Sequence, residues 1–301
     1  MNPYLNKKSI NGWPLFWLIS APLSIGMIVA ITNADLSTGK GISSLIQLSV
    51  RCAVPLLYTA FLASSAHALF SSDFTAWILR NRKYLGLCFA VGMAWQALFI
   101  TWMVFVYTDY YVNEVYLLRD AIEGLLGYIV LVPMVLTTFR FGRRRITRTQ
   151  WRLLHKAGIY YLWAYAFSVY WWELFYYPNP VFIDYAFYWA GLLAWGLRAA
   201  AWTKTRHKLK GKGSVRTPLH RLALPVGMGV VGIGVGAASF GSAWIQPAQE
   251  IFYGYALTRI PELYFPYWPF EPFLPLLVIG VGCLLVGNSA EWKNQTKVSG
   301  T

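Results

Sequence analysis

The sequence predicts an all-α, polytopic membrane helix bundle of about eight transmembrane helices with both termini cytoplasmic, and three observations carry that reading. Hydrophobic residues make up 57% of the chain and charged residues only 13%, a balance foreign to soluble domains. Apolar runs near the roughly 20 residues that cross hydrocarbon recur along the whole length, too often for one buried core. The segments between them alternate in charge: one side collects 22 of the 26 Lys and Arg, the other ten of the twelve carboxylates. Because Lys and Arg accumulate on the cytoplasmic side, this alternation sets span count and orientation together. It also assigns the net charge of +14 to topology and to anionic lipid, with no nucleic-acid partner. The expected setting is a bacterial inner (plasma) membrane.

Taken in order, the first span is Gly12–Ile31, just after Lys7 and Lys8. It contains Pro14 and Pro22, and no A-x-A-like site follows, so it reads as an uncleaved span and not as a signal peptide. The second, Ser44–Leu69, has Arg51 near its outer end and His67 at its inner end. The third, Tyr84–Tyr107, follows the basic group Arg80, Arg82 and Lys83. The fourth, Leu117–Phe139, opens from outside on Asp120 and Glu123. A basic turn, RFGRRRITRTQWR, cannot enter hydrocarbon and leads into the fifth span, Trp151–Phe175, with His155 near its start. The sixth, Phe182–Trp202, precedes the stretch KTRHKLKGKGSVRTP. Residues 207–221 thus read as a basic cytoplasmic linker between a domain at 1–206 and a C-terminal part at 222–301. That part holds the seventh span, Leu222–Ile245, and the eighth, Phe273–Asn288. Between them the outer loop Gln246–Pro272, rich in Pro and aromatics, lies in the interface, caps the bundle, or binds a ligand. Tyr107, Tyr110, Tyr111, Tyr116, Trp171, Trp172, Tyr176 and Tyr177 form the expected aromatic belt at the outer boundary.

Ionisable residues within spans carry a functional hypothesis by default. Arg51, Asp120 and Glu123 should lie at similar depth, as a structural ion pair of Arg51 with Glu123 or Asp120, or alternatively as a proton or substrate site. Cys52, Cys88 and Cys283 sit in three different spans without metal-ligand spacing and read as small packing residues. The seventh span is rich in small residues, including Gly232-x-x-x-Gly236. That pattern suits close helix packing within the bundle or a homo-oligomer. Of the histidines, His207 and His220 belong to the basic linker and read as solvated. His67 and His155 share the cytoplasmic side, each without a partner histidine on its own helix.

Three stretches in this order resemble the ferric-reductase-like transmembrane domain family: Arg82–Leu87 (RKYLGL), the span ending PMVLTTF before RRR, and Trp151–Lys156 (WRLLHK). Within that family the similarity points to the haem-binding membrane subunits of the bacterial periplasmic methionine sulfoxide reductase system. It covers the first six spans, to about Arg206, and leaves out the last two. The resemblance implies b-type haem held by histidine pairs between the third and fifth spans, in an oxidoreductase electron-transfer subunit. Such a subunit receives electrons from quinone or a cytoplasmic donor and passes them towards the outer face, to a separate redox partner protein. No flavin or nicotinamide domain is expected, since no G-x-G-x-x-G occurs in a soluble strand–helix context.

Carried over residue by residue, the family's third-span histidine falls on Gln96, ten residues after Gly86. Its fifth-span histidines fall on His155 and, thirteen residues on, Ser168. Thirteen helical residues rise about 20 Å, so Gln96 and Ser168 would face each other at the outer haem level. Neither supplies an axial ligand of imidazole strength. At the inner level His155 would be the haem-iron ligand, facing Arg82 or Lys83, with His67 at similar depth. Two functions follow: a one-haem electron-transfer subunit using His155, His67, Arg82 and Lys83, or a haem-free relative with a structural, sensing or small-ligand-binding role.

Overall fold

The computed structural model describes residues 3–210, 219–255 and 271–288. It is helical throughout, with no strand among the described residues. The long helices are α1 (Trp13–Asn33), α2 (Gly39–Phe70), α3 (Asp73–Val106), α4 (Leu118–Leu136), α5 (Arg148–Phe175), α6 (Phe182–Lys210), α7 (Leu219–Ser239), α8 (Gly241–Tyr255) and α9 (Leu274–Asn288). Among the described residues, five stretches are long and apolar enough to cross a membrane: Trp13–Asn33, Gly39–Phe70, Asp73–Val106, Leu222–Ser239 and Glu271–Asn288. This is a multi-pass integral membrane protein. Helices α4, α5 and α6 stand apart by composition. Arg119, Asp120 and Glu123 crowd the first two turns of α4, and Trp and Tyr dilute the hydropathy of the other two.

The chain forms two compact units, Met1–Val169 with Tyr185–Ala194, and Tyr170–Asp184 with Trp195–Thr301. In the first unit α2 and α3 make an antiparallel hairpin. They are longer than the hydropathy suggested, at 32 and 34 residues, so α3 alone rises about 50 Å against a hydrocarbon core of about 30 Å. The stretch 73–83, expected as a basic loop, continues the helix. Thr75, Ile78, Asn81 and Leu85 are buried at helical spacing while Arg80, Arg82 and Lys83 stay exposed. Charge there marks the water-facing side of a helix and not the end of one.

The hairpin turn explains its own position. Ser71 adopts the left-handed conformation (φ 35°) and its N–H reaches back to the His67 carbonyl. Ser72 then caps α3 in a capping box with Thr75. At the far end Met27 of α1, Ile42 and Leu45 of α2, and Phe99 and Met103 of α3 form a shared core. A column of stacked rings runs from Phe61 of α2 through Trp163 and Phe167 of α5 to Tyr188 of α6, with centroids 5.2, 5.5 and 5.2 Å apart. The Trp163 Nε1–H donates to the Gly191 carbonyl at 3.0 Å, which pairs the one polar group of that indole.

In the second unit α7 packs against α9 backbone to backbone. A β-carbon at Gly282 would stand 2.7 Å from the Gly227 carbonyl oxygen, and one at Gly234 would stand 2.9 Å from the Ile279 nitrogen and the Pro275 oxygen. Gly232 and Gly236, the pair expected to drive packing, have nothing among the described residues within 4 Å of such an atom. The close contact uses Gly227, Gly234 and Gly282 instead. The seventh span also ends sooner than Ile245, because the chain leaves the helix at Phe240 and restarts as α8.

Candidate functional site

One end of the first unit assembles the expected histidine site from three turns. Thr147 starts α5 by a reciprocal cap: its hydroxyl accepts from Gln150 N–H at 3.2 Å while its own N–H donates to Gln150 Oε1 at 2.9 Å. That start places Trp151 and His155 one turn apart on the same face, with ring centroids 4.5 Å apart. Arg143 from the basic turn donates to the Ile146 carbonyl at 3.0 Å and lays its guanidinium over the Trp151 ring at 5.4 Å. Arg82 of α3 and Arg143 lie close enough to act electrostatically on the imidazole. Among the described residues, the buried Trp151 Nε1–H has no hydrogen-bond partner.

The orientation of His155 follows from Thr137 at the end of α4. The Thr137 hydroxyl donates to the Pro133 carbonyl at 2.7 Å. Its one hydrogen is thereby used, so the 3.1 Å contact with His155 Nε2 has the imidazole as donor. One turn further along α5, a β-carbon at Gly158 would lie 2.7 Å from Val130 Cγ1 of α4. The two helices are in close contact directly above the imidazole.

The other expected residues are distributed differently. His67 is engaged in the hairpin turn: its Nδ1 is 3.1 Å from Thr75 Oγ1, which donates to the Ser72 carbonyl at 2.9 Å and accepts the Ser72 N–H at 3.0 Å. Lys83 lies over the rings of Trp13 and Tyr84, at 6.0 and 5.5 Å. At the second expected haem level the Gln96 side-chain oxygen accepts from the Tyr128 hydroxyl at 2.9 Å. Buried Ser168 donates back to the Tyr165 carbonyl of its own helix at 2.9 Å. The side chains of His207 and His220 lie outside the described residues.

Near the start of α4, Asp120 pairs with its neighbour Arg119, Nε to Oδ1 at 2.9 Å, with Arg119 buried and Asp120 half-exposed. The Glu123 carbonyl accepts from the Tyr161 hydroxyl at 2.8 Å. Arg51 is half-buried in α2.

Sequence reasoning missed Arg119, Thr137 and Tyr128 as partners. It also missed a buried carboxylate in the second unit. Glu271, fully buried, accepts from Trp171 Nε1 at 3.0 Å and from the Tyr176 hydroxyl at 2.6 Å. The signal available was a lone acid in FEPF directly before an apolar run, hidden among aromatics assigned to the interface.

The haem implied by the family resemblance can be tested against these residues. A bis-histidine site needs two imidazoles facing across the bundle. Here the Nε2 of His155 is turned to Thr137, its ring is covered by Trp151, and Gln96 and Ser168 offer an amide and a hydroxyl that already have partners. The donor set does not fit a pair of transmembrane haems. Among the described residues no group of three or more His, Cys, Asp or Glu is placed to hold a metal ion. Compared with family models, curated proteins and solved structures, the chain finds no match in any of the three.

Proposed function

We propose that this chain is an eight-span protein of the bacterial inner membrane, both termini cytoplasmic, built on a ferric-reductase-like six-helix core that works without haem, in a structural, sensing or small-ligand-binding role. The observation that supports a haem-free core is the engagement of His155 Nε2 by Thr137, whose hydroxyl has no second hydrogen to offer. In this reading the His155–Trp151–Arg143 cluster fastens the basic turn to the ends of α4 and α5. Replacing His155 by Ala then costs about 1–3 kcal/mol of stability, the usual cost of stranding a buried hydrogen-bonding partner.

A second reading is a single haem b at the inner level, in an electron-transfer subunit served by quinone and a separate redox partner. Arg82 and Arg143 beside His155 favour it, since cations there suit carboxylate groups such as haem propionates. One experiment separates the two. The chain is expressed with ample haem precursor, purified, and its visible spectrum recorded for wild type and His155→Ala. The haem-free reading expects no Soret band in either and a lowered melting temperature in the variant. A Soret band in wild type that disappears in His155→Ala would establish the haem reading in its place.

A further inference from the structure

Ahead of α1, residues 3–11 fold into two short turns laid along the inner part of α3. Asn11 is the hub. Its amide donates to the carbonyls of Leu5 and Lys7 at 3.0 and 2.8 Å, while its Oδ1 accepts from Arg80 Nε and Asn81 Nδ2, both at 2.9 Å. Trp77 Nε1 donates to the Ile10 carbonyl at 3.0 Å, and the Gly12 N–H donates to the buried Asn81 Oδ1 at 2.9 Å. About one helical turn of α3 therefore holds this segment through side chains of 77, 80 and 81, one face of the helix. The arrangement leaves a groove of about 500 Å³ lined by Asn6, Lys8, Asn11, Pro14 and Arg80.

Among the described residues, the hydrogen bonds of this groove bring no carboxylate to its cations. Arg80 makes three hydrogen bonds, to Asn11 Oδ1 at 2.9 Å, Asn6 Oδ1 at 3.4 Å and the Leu5 carbonyl at 2.8 Å, and every acceptor is neutral. A guanidinium has five N–H donors in a fixed fork, so two remain while the other three hold the group still. Lys8 adds a second, exposed cation to the same lining. A pre-oriented Arg fork beside a Lys matches a phosphate group.

The depth of the groove selects the source of that phosphate. Pro14 lies in the first turn of α1, a helix long and apolar enough to span the bilayer, so the groove opens where headgroups lie. Exposed Trp13 and Tyr4 beside it are residues of the membrane–water interface. We infer that the groove between the N-terminal turns and α3 binds the phosphate of an anionic phospholipid headgroup, gripped by Arg80 and Lys8. This site is independent of the reading of His155 and of whether haem binds.

The test uses the full chain in micelles supplied with equimolar phosphatidylglycerol and phosphatidylcholine, with retained lipid counted by native mass spectrometry. Losing one cation that grips the bound phosphate, at about 1 kcal/mol for such a contact, lowers retention of that lipid about fivefold. Lys8→Gln should therefore lower phosphatidylglycerol retention about fivefold relative to phosphatidylcholine, and Arg80→Gln at least as much. Arg144→Gln/Arg145→Gln, on the exposed basic turn, should leave the ratio within about twofold. Lys8→Gln removes no structural hydrogen bond, so its result stands even if Arg80→Gln fails to fold. Unchanged retention in Lys8→Gln would overturn the proposal. So would release of phosphatidylglycerol by an equal concentration of inorganic phosphate, which would make free phosphate the ligand.

Discussion

The α7–α9 contact makes one chemical change act in opposite directions at two positions. At Gly282 an added methyl meets atoms that cannot turn away: the Gly227 carbonyl oxygen at 2.7 Å and the Val231 nitrogen at 2.8 Å, both backbone. Ordinary carbon contacts optimise near about 3.5 Å, so α7 and α9 must separate by most of an ångström along their seam. Overpacking of this kind costs about 1–3 kcal/mol. In a membrane, packing and not hydrophobicity holds helices together, so loss of contact along the seam has no compensating burial. At Gly232 the same methyl meets nothing among the described residues within 4 Å, and exchanging Gly for Ala inside a helix favours the helix by about 1 kcal/mol. Gly282→Ala should therefore lower stability and Gly232→Ala leave it unchanged or raise it, by unfolding in mixed micelles titrated with dodecyl sulfate. Equal effects at the two positions would refute the argument. A loss at Gly232→Ala that depends on protein concentration would instead place that face in a homo-oligomer.

Other expectations follow from individual residues. Reporter fusions within residues 139–151 and 204–218 should read as cytoplasmic and fusions at Tyr110 and Ala256 as external; inversion of any one removes the eight-span model. If Arg51 is held by Glu123, Arg51→Leu and Glu123→Leu should each cost about 1–3 kcal/mol and the double variant less than their sum. Strictly additive losses would turn the same cycle to Asp120, which Arg119 already engages. In the α1–α2 turn, the Ser37 hydroxyl and N–H donate to Asp35 Oδ1 at 2.5 and 3.0 Å and hold its carboxyl below the usual 3.8. A lowered folded-state pKa adds stability above the unfolded value and loses it as pH falls through the folded one. Ser37→Ala should move the Asp35 carbon-13 titration up towards 3.8, and an unmoved titration would remove the hydroxyl as the cause.

Several features of this molecule are decided along the chain itself. Helical class, membrane residence and the apolar spans α1 to α3, α7 and α9 follow from composition and run length, because hydrocarbon rejects unpaired backbone wherever it occurs. The absence of imidazole at Gln96 and Ser168 is likewise plain in the sequence, since a missing ligand needs no geometry to be noticed. What hydropathy overlooked is the part of a helix that leaves the membrane. Asp73–Lys83 looks like a basic loop because its exposed face is charged, and only its pattern of burial at Thr75, Ile78 and Asn81 marks it as helix.

Partner choice belonged to the tertiary structure. Gln96 takes Tyr128, His155 takes Thr137, and the helix seam takes Gly227, Gly234 and Gly282 over the better-spaced Gly232 and Gly236. Each of these depends on the rotation of a helix about its axis and on its depth against its neighbours. A 3.6-residue repeat says that a face exists. Which element that face meets is settled only when the helices pack, because a turn of 100° per residue brings a different side chain to the contact at no cost in hydropathy.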